Sequence, residues 1–285
     1  MTPDTVSKAL AGADTLKKTA DSNSDPSWIM HHVMDSNQIS FGSLGNLYLP
    51  HLQIFGFNIS ITRDIFIMWF VSAVLVVLLL AAARGYKKSL VPKGISNFFE
   101  VIIDFVKNEI VKPAIGKGYE PYMPYMLTLF FFILFCNMFG LIPLPNLVVV
   151  TGNVAVTASL AIISFVVIQY TGMKQHGVMK YLKSLVPSGM PVMIIPIMAV
   201  IELIGLFTKP FALCIRLFAN MVAGHIVIFS LLGLIFIMHT IYVAPVSVGF
   251  TLFIEMLEIL VALIQAYVFT MLTALFIGMA KHIEH

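Results

Sequence analysis

Charge is what this sequence has least of. Only 11% of its 285 residues are Asp, Glu, Lys or Arg, where a soluble domain usually carries about 25%. Too few ionic groups are present to cover an ordinary water-facing surface, so lipid is the expected solvent. Cysteine is scarce as well. Cys136 and Cys214 both fall inside apolar runs and no CxxC occurs, so they read as reduced packing thiols, with no disulfide framework and no metal site. There is no GxxxxGK[ST] phosphate loop, so the chain is not expected to bind nucleotide, and no cofactor is expected. The net charge of +3 is gathered in a few loops, a pattern that suits membrane orientation and not a nucleic-acid surface. The first 25 residues lack the basic start and short apolar core of a secretory signal.

Long apolar stretches fill the space. Hydrophobic residues make up 59% of the chain and the mean hydropathy is +0.94. Length and composition predict an all-α polytopic membrane protein: about five membrane helices plus one interfacial amphipathic helix. Residues 1–60 read as a polar extension in which SWIMHHVMDSNQI forms a short surface helix and LPHLQIFGFNISIT a small extended piece. Residues 61–285 read as the membrane domain. Spans are expected at about 65–83, at about 124–148 with its end near Pro143 and Pro145, and at about 154–171, followed by long helices at about 189–238 and 246–281. The last two exceed the roughly 20 residues a span needs, so they are expected to tilt strongly or run partly along the membrane.

The segment at about 95–118 alternates apolar and charged residues. Phe98, Val101, Ile102, Phe105 and Ile110 recur at helical spacing, while Glu100, Asp104, Lys107 and Glu109 take other faces, as in a helix lying on a membrane surface. Seven Lys or Arg fall in 84–117 and three in 174–183, but none in 149–153 or 239–248. The basic side should be cytoplasmic, which puts the N-terminus outside and the C-terminus inside.

Within the last two apolar segments stand Glu202, Lys209, Arg216, His225, Glu255 and Glu258. An ionisable group at the bilayer centre costs on the order of 3 kcal/mol on insertion scales, and such groups usually mark an ion path or a counter-ion. Arg216 stays protonated at any physiological pH, so it cannot shuttle protons but can hold a passing carboxylate ionised. A static salt bridge to Glu202 or Glu258 is the alternative, and spacing alone leaves both open. Lys209, beside Pro210, can simply snorkel. On a helix turning 100° per residue, Glu202, Lys209 and Arg216 fall on nearly one stripe, with a drift of about 20° per seven residues. Asn220 is one turn beyond Arg216. His225 is roughly opposite Arg216, so the two should face different surroundings. Glu258 and Gln265 share a face, with Glu255 about 60° from Glu258. His225 reads either as a proton relay near neutral pH or as a hydrogen-bonded packing residue. Gly205, Ala212, Ala219, Ala223 and Gly224 thin the helix surface and permit another helix to approach.

The run TKPFALCIRLFANMVAGH, residues 208–225, resembles the arginine signature of F-type ATP synthase subunit a of the bacterial type. Glu202, fourteen residues before Arg216, and Gln265 in LIQAYVFTMLTALF match the same family, and the resemblance covers about 60–285. It implies a non-catalytic Fo-sector stator in the bacterial inner membrane. The implied partners are a c-ring, peripheral-stalk b subunits and the other synthase subunits. By the resemblance, Arg216 separates two aqueous half-channels. Asn220, His225, Glu258 and Gln265 line the outer one and Glu202 lies nearer the cytoplasmic one, with Glu255 a secondary candidate. Many members carry a glutamate where this chain has His225 and a histidine where it has Glu258. The exchange suggests that the two work as a unit. Two rival readings are a haem-bearing electron carrier, using His225 and His239, and a secondary ion transporter. The first lacks a matching histidine pair on another span, and the second lacks an internal repeat.

Overall fold

In the computed structural model, the described residues are 38–40, 46–48, 53–54, 57–58, 62–86, 94–142, 150–184, 194–238 and 242–282. Five helices among them are long and apolar enough to cross a membrane, as expected for an all-α polytopic chain.

The first apolar run folds as α1, Arg63–Tyr86, with Asp64 in its first turn and Arg84 in its last. Each charge sits at the helix end of opposite partial sign, a favourable arrangement. Before α1 lie two small antiparallel ribbons. β1 (Gln38–Ser40) pairs with β2 (Asn46–Tyr48), setting Ile39 opposite Leu47, and β3 (Gln53–Ile54) pairs with β4 (Phe57–Asn58). The second ribbon is the extended piece expected there. The surface helix expected over SWIMHHVMDSNQI lies outside the described residues except at its end, where Gln38 and Ile39 are strand. There the cross-strand apolar pair Ile39–Leu47 prevails over a helical continuation.

The amphipathic segment runs as α2 (Ile95–Phe105), a π-helical turn (Val106–Val111) and a final helical turn, α3 (Lys112–Ile115). It ends at Gly116, whose φ of 72° lies in the left-handed region glycine tolerates. The expected apolar stripe splits in two. Phe98, Val101 and Phe105 are exposed, whereas Ile110 is fully buried. Ile110 lies in the π-helical turn, whose wider winding departs from the α-helical spacing, and it is buried like Phe99 and Val106. The helix therefore has an inward apolar face, an outward apolar face, and a third face bearing Glu100, Asp104 and Lys107.

α4 (Met123–Gly140) follows a short 3-10 turn at Glu120–Tyr122. It stops at Gly140, before the 148 expected, because Pro143 and Pro145 cannot continue a helical ladder. A 3-10 turn, Val150–Gly152, leads to α5 (Val154–His176). Asn153 caps α5 by accepting a 2.9 Å bond from Ala155 N–H. α5 outruns its expected end at 171, and α6 (Val178–Ser184) stands between the two expected spans.

α7 (Ile195–Met238) has 44 residues and α8 (Val243–Lys281) has 39. At 1.5 Å per residue α7 is about 66 Å long, twice the roughly 30 Å hydrocarbon core, so it cannot stand upright in a bilayer. α8 packs against α7, α4, α5 and α3, while α1 packs on α2 and α4. The largest fully buried side chains of the core include Ile110, Ile115, Met126, Ile133, Leu217 and Ile277. α7 is the least buried of the five long helices, so most of its apolar surface faces lipid or another chain.

Candidate functional site

α7 turns one side inward and leaves the other open. Leu213, Cys214, Leu217 and Met221 are buried, while Phe211, Ile215, Arg216, Ala219, Asn220 and Ala223 are exposed. The spacing of three and four residues gives two opposed stripes on one helix. Arg216 thus sits on an open face flanked by apolar and small side chains, with Asn220 one turn on. Among the described residues it makes no ion pair. The internal bridge to Glu202 or Glu258 is not formed.

Nine residues beyond Arg216, His225 points inward. Its Nδ1 lies 3.2 Å from the Met221 carbonyl and 4.0 Å from Glu258 Oε1, and its Nε2 lies 3.2 Å from the Gly140 carbonyl. All three neighbours are acceptors. A neutral imidazole has one N–H and satisfies one carbonyl, while the imidazolium satisfies both. Gly224 makes the contact with Glu258 possible, since a Cβ there would overlap that carboxylate. Both Glu258 oxygens are buried with no hydrogen-bond partner among the described residues. Glu255, half-buried, is within electrostatic reach of both groups. Gln265 is buried on α8.

A further polar chain lies at the same end of the bundle. Thr151 Oγ1 donates to Asn137 Oδ1 at 2.7 Å, and Asn137 Nδ2 donates to the Ala262 carbonyl at 3.4 Å. Asn153 Nδ2 donates to Asp64 Oδ2 at 2.8 Å, and Asp64 is 2% exposed. Asn137 is one turn before Gly140, whose carbonyl meets His225.

At the opposite end, Glu202 and Lys209 share a cavity of about 280 Å³ with Gln169, Tyr181 and Phe276. Lys209 Nζ lies 5.4 Å from the centre of the Phe276 ring. Arg216 does not join this cavity. Over fourteen residues the ideal stripe drifts by about 40°, enough to carry it onto the open face.

A sequence profile of the ATP synthase A chain matches residues 65–278. ATP synthase subunit a of Chloroherpeton thalassium is 50% identical over 260 residues, which is 90% of this chain and 77% of that relative. Subunit a 2 of Chlorobaculum tepidum is 49% identical over 256 residues, 88% of this chain and 72% of the relative. Subunit a of Anaeromyxobacter dehalogenans is 47% identical over 267 residues, 88% and 68% respectively. The chain belongs to the ATP synthase subunit a family.

As a member of that family it is a multi-pass membrane protein and a component of an ATP synthase, and the electron-carrier and transporter readings fall away. Arg216, within the run 208–225, sits on the open face of α7. His225 and Glu258 are brought together, Glu255 stands near them, and Glu202 is at the other end. His239 lies outside the described residues. Sequence reasoning passed over Asp64, Asn137, Thr151, Asn153, Gln169 and Tyr181. Asn137 had a signal, as an amide within the apolar run LFFFILFCNMFG. Asp64 had none, because it stands at a helix start where acidic residues are ordinary.

Proposed function

We propose that this chain is the Fo stator that carries protons to and from a rotating c-ring through two aqueous half-channels. The carrying observation is the position of Arg216. It is exposed and without an ion pair among the described residues, about 21 Å along α7 from Glu202 and about 13 Å from His225. Two polar sites at opposite ends of the bundle thus flank one open cation. The lysine and arginine pattern makes the His225 end the outer one and the Glu202 end cytoplasmic, with the N-terminus outside, in a bacterial inner membrane.

On this reading a proton enters past the Asp64–Asn153 and Thr151–Asn137 pairs. It passes His225 and Glu258, with Asn220 and Gln265 along the path, and neutralises a ring carboxylate. The neutral carboxyl enters lipid cheaply while the ionised form does not. After nearly a full turn it discharges toward Glu202. Arg216 holds the discharged carboxylate ionised and blocks a direct leak between the two paths. The driving force is roughly 2.3 kcal/mol per charge per 100 mV. Ring subunits bear against the open face of α7, the peripheral-stalk b subunits hold the stator, and ATP is made on other chains.

The test is ATP-driven proton pumping in inverted membrane vesicles carrying the assembled synthase with Arg216→Ala. Pumping should be lost. Retained pumping would refute the role given to Arg216.

A further inference from the structure

The cavity around Glu202 has a wall the proton path above does not use. Gln169 of α5 and Tyr181 of α6 line it opposite Glu202 and Lys209 of α7. Tyr181 is 5% exposed, and its ring lies against Gly172, where a Cβ would overlap it. From that notch its hydroxyl donates to Gln169 Oε1 at 2.9 Å. Burial, and next the charge of Glu202, raise the Tyr181 pKa above its ordinary value. The hydroxyl therefore stays protonated and keeps donating, which fixes the Gln169 amide.

The other end of that amide is open. Gln169 Nε2 is buried with no hydrogen-bond partner among the described residues. Buried donors are rarely left unmade, and where protein offers nothing, ordered water takes the place. The backbone supplies a second polar group, because Pro210 has no N–H to give the Leu206 carbonyl and both residues line the cavity. A cavity of about 280 Å³ with such groups is roomy enough for several waters. Lys209 leaves Glu202 free, since its ammonium lies over Phe276 and makes no ion pair among the described residues.

We infer that Gln169, held by Tyr181, is a positioning residue of the inner access path, anchoring the water that passes protons between Glu202 and the cytoplasm. This rests on the reading that Glu202 lies on that path. Gln169 does not touch the ring; it acts through bound water. Each water takes up a proton from its cytoplasmic neighbour as it gives one to the Glu202 carboxylate, or the reverse, so one proton crosses per step and nothing else is consumed.

The test uses the assembled synthase in inverted vesicles, whose cytoplasmic face is outermost. Silver ion, a small water-borne thiol reagent, is added to Gln169→Cys, Leu206→Cys and Val166→Cys variants while ATP-driven pumping is followed. Leu206 lines the same cavity, whereas Val166 is 57% exposed on α5 outside it. Silver should block the first two and spare the third. Blockage of Leu206→Cys alone would overturn the part given to Gln169 and leave the proposed function standing. Blockage of neither would mean a dry cavity and would overturn the inner path as well. Tyr181→Phe keeps the ring in its notch and removes only the hydroxyl. It should slow pumping roughly threefold to tenfold, as loss of one hydrogen bond does, and shift its dependence on cytoplasmic pH. An unchanged rate and pH profile would also overturn the inference.

Discussion

His225 Nδ1 stands 4.0 Å from Glu258 Oε1, and the bare Cα of Gly224 leaves the room for that carboxylate. The helix surface is thinned where an acidic side chain must lie between α7 and α8. Gly224→Ala should therefore act on Glu258 more than on the backbone, since the glycine is helical and alanine suits a helix. The added methyl must push Glu258 aside or part the helices, at about 1–3 kcal/mol. Thermal unfolding of the solubilised complex should show the loss, together with slower ATP-driven pumping. An unaltered melting temperature and rate would mean that Glu258 does not occupy that space.

Exchange of the pair tests whether it works as a unit. His225→Glu and Glu258→His should each slow proton translocation by about tenfold or more, the scale on which a positioned acid or base matters. The double variant H225E/E258H restores one imidazole and one carboxylate and should recover much of the rate. Recovery should be partial. The carbonyls of Met221 and Gly140 both face His225, and an ionised carboxylate at position 225 cannot donate to either. A double variant as slow as the worse single would show that the two act separately.

Much of this was legible in advance because lipid leaves strong traces in sequence. The apolar runs gave α1, α5, α7 and α8 to within a few residues at most ends, and nine residues between Arg216 and His225 gave their opposed faces. The errors have local causes. α4 stops at Gly140, a few residues ahead of Pro143 and Pro145, near which its end is expected, and Ile110 lies on the inward face of the π-helical continuation of α2. The polar pairs Asp64–Asn153 and Tyr181–Gln169 were invisible because their members lie 89 and 12 residues apart on different elements. Only packing of α1 on the Val150–Gly152 turn, and of α6 on α5, brings them together.

Asn137 and Thr151 are both fully buried and hold each other. Asn137→Leu keeps the branched shape but strands the Thr151 hydroxyl and takes from the Ala262 carbonyl the donor it has in Asn137. The cost should be about 1–3 kcal/mol for a buried polar group left without its partner. Adding Thr151→Val removes the stranded hydroxyl and should return part of the stability, read as a recovered melting temperature. If the hydroxyls and amide also carry water on the outer path, pumping by the double variant stays slow although the fold has recovered. Recovery of both together would make the pair structural only.

The end of α8 reaches across to the end of the amphipathic segment. Lys281 Nζ donates to the carbonyls of Lys117 and Gly118, His282 Nε2 donates to the Ile115 carbonyl at 3.2 Å, and His176 Nε2 donates to the Lys281 carbonyl at 3.0 Å. These carbonyls lie where the α3 turn stops, so α3 has no later turn to occupy them. Lys281 and the following His282 therefore hold the end of the amphipathic segment, His282 capping the last residue of α3, and His176 ties α5 to the same point. Truncation after Ala280 removes all of these bonds at once while keeping the apolar contacts of Ile277 and Gly278. The freed carbonyls remain at the membrane surface, where water can reach them, so the global cost should be small, about 1–2 kcal/mol. The local effect should be larger. Amide hydrogen exchange over residues 112–118 should quicken roughly tenfold or more, as expected for a segment released to open on its own, while α1 keeps its protection. Equal loss of protection in α1 would show that these contacts support the whole bundle and not the end of the amphipathic segment alone.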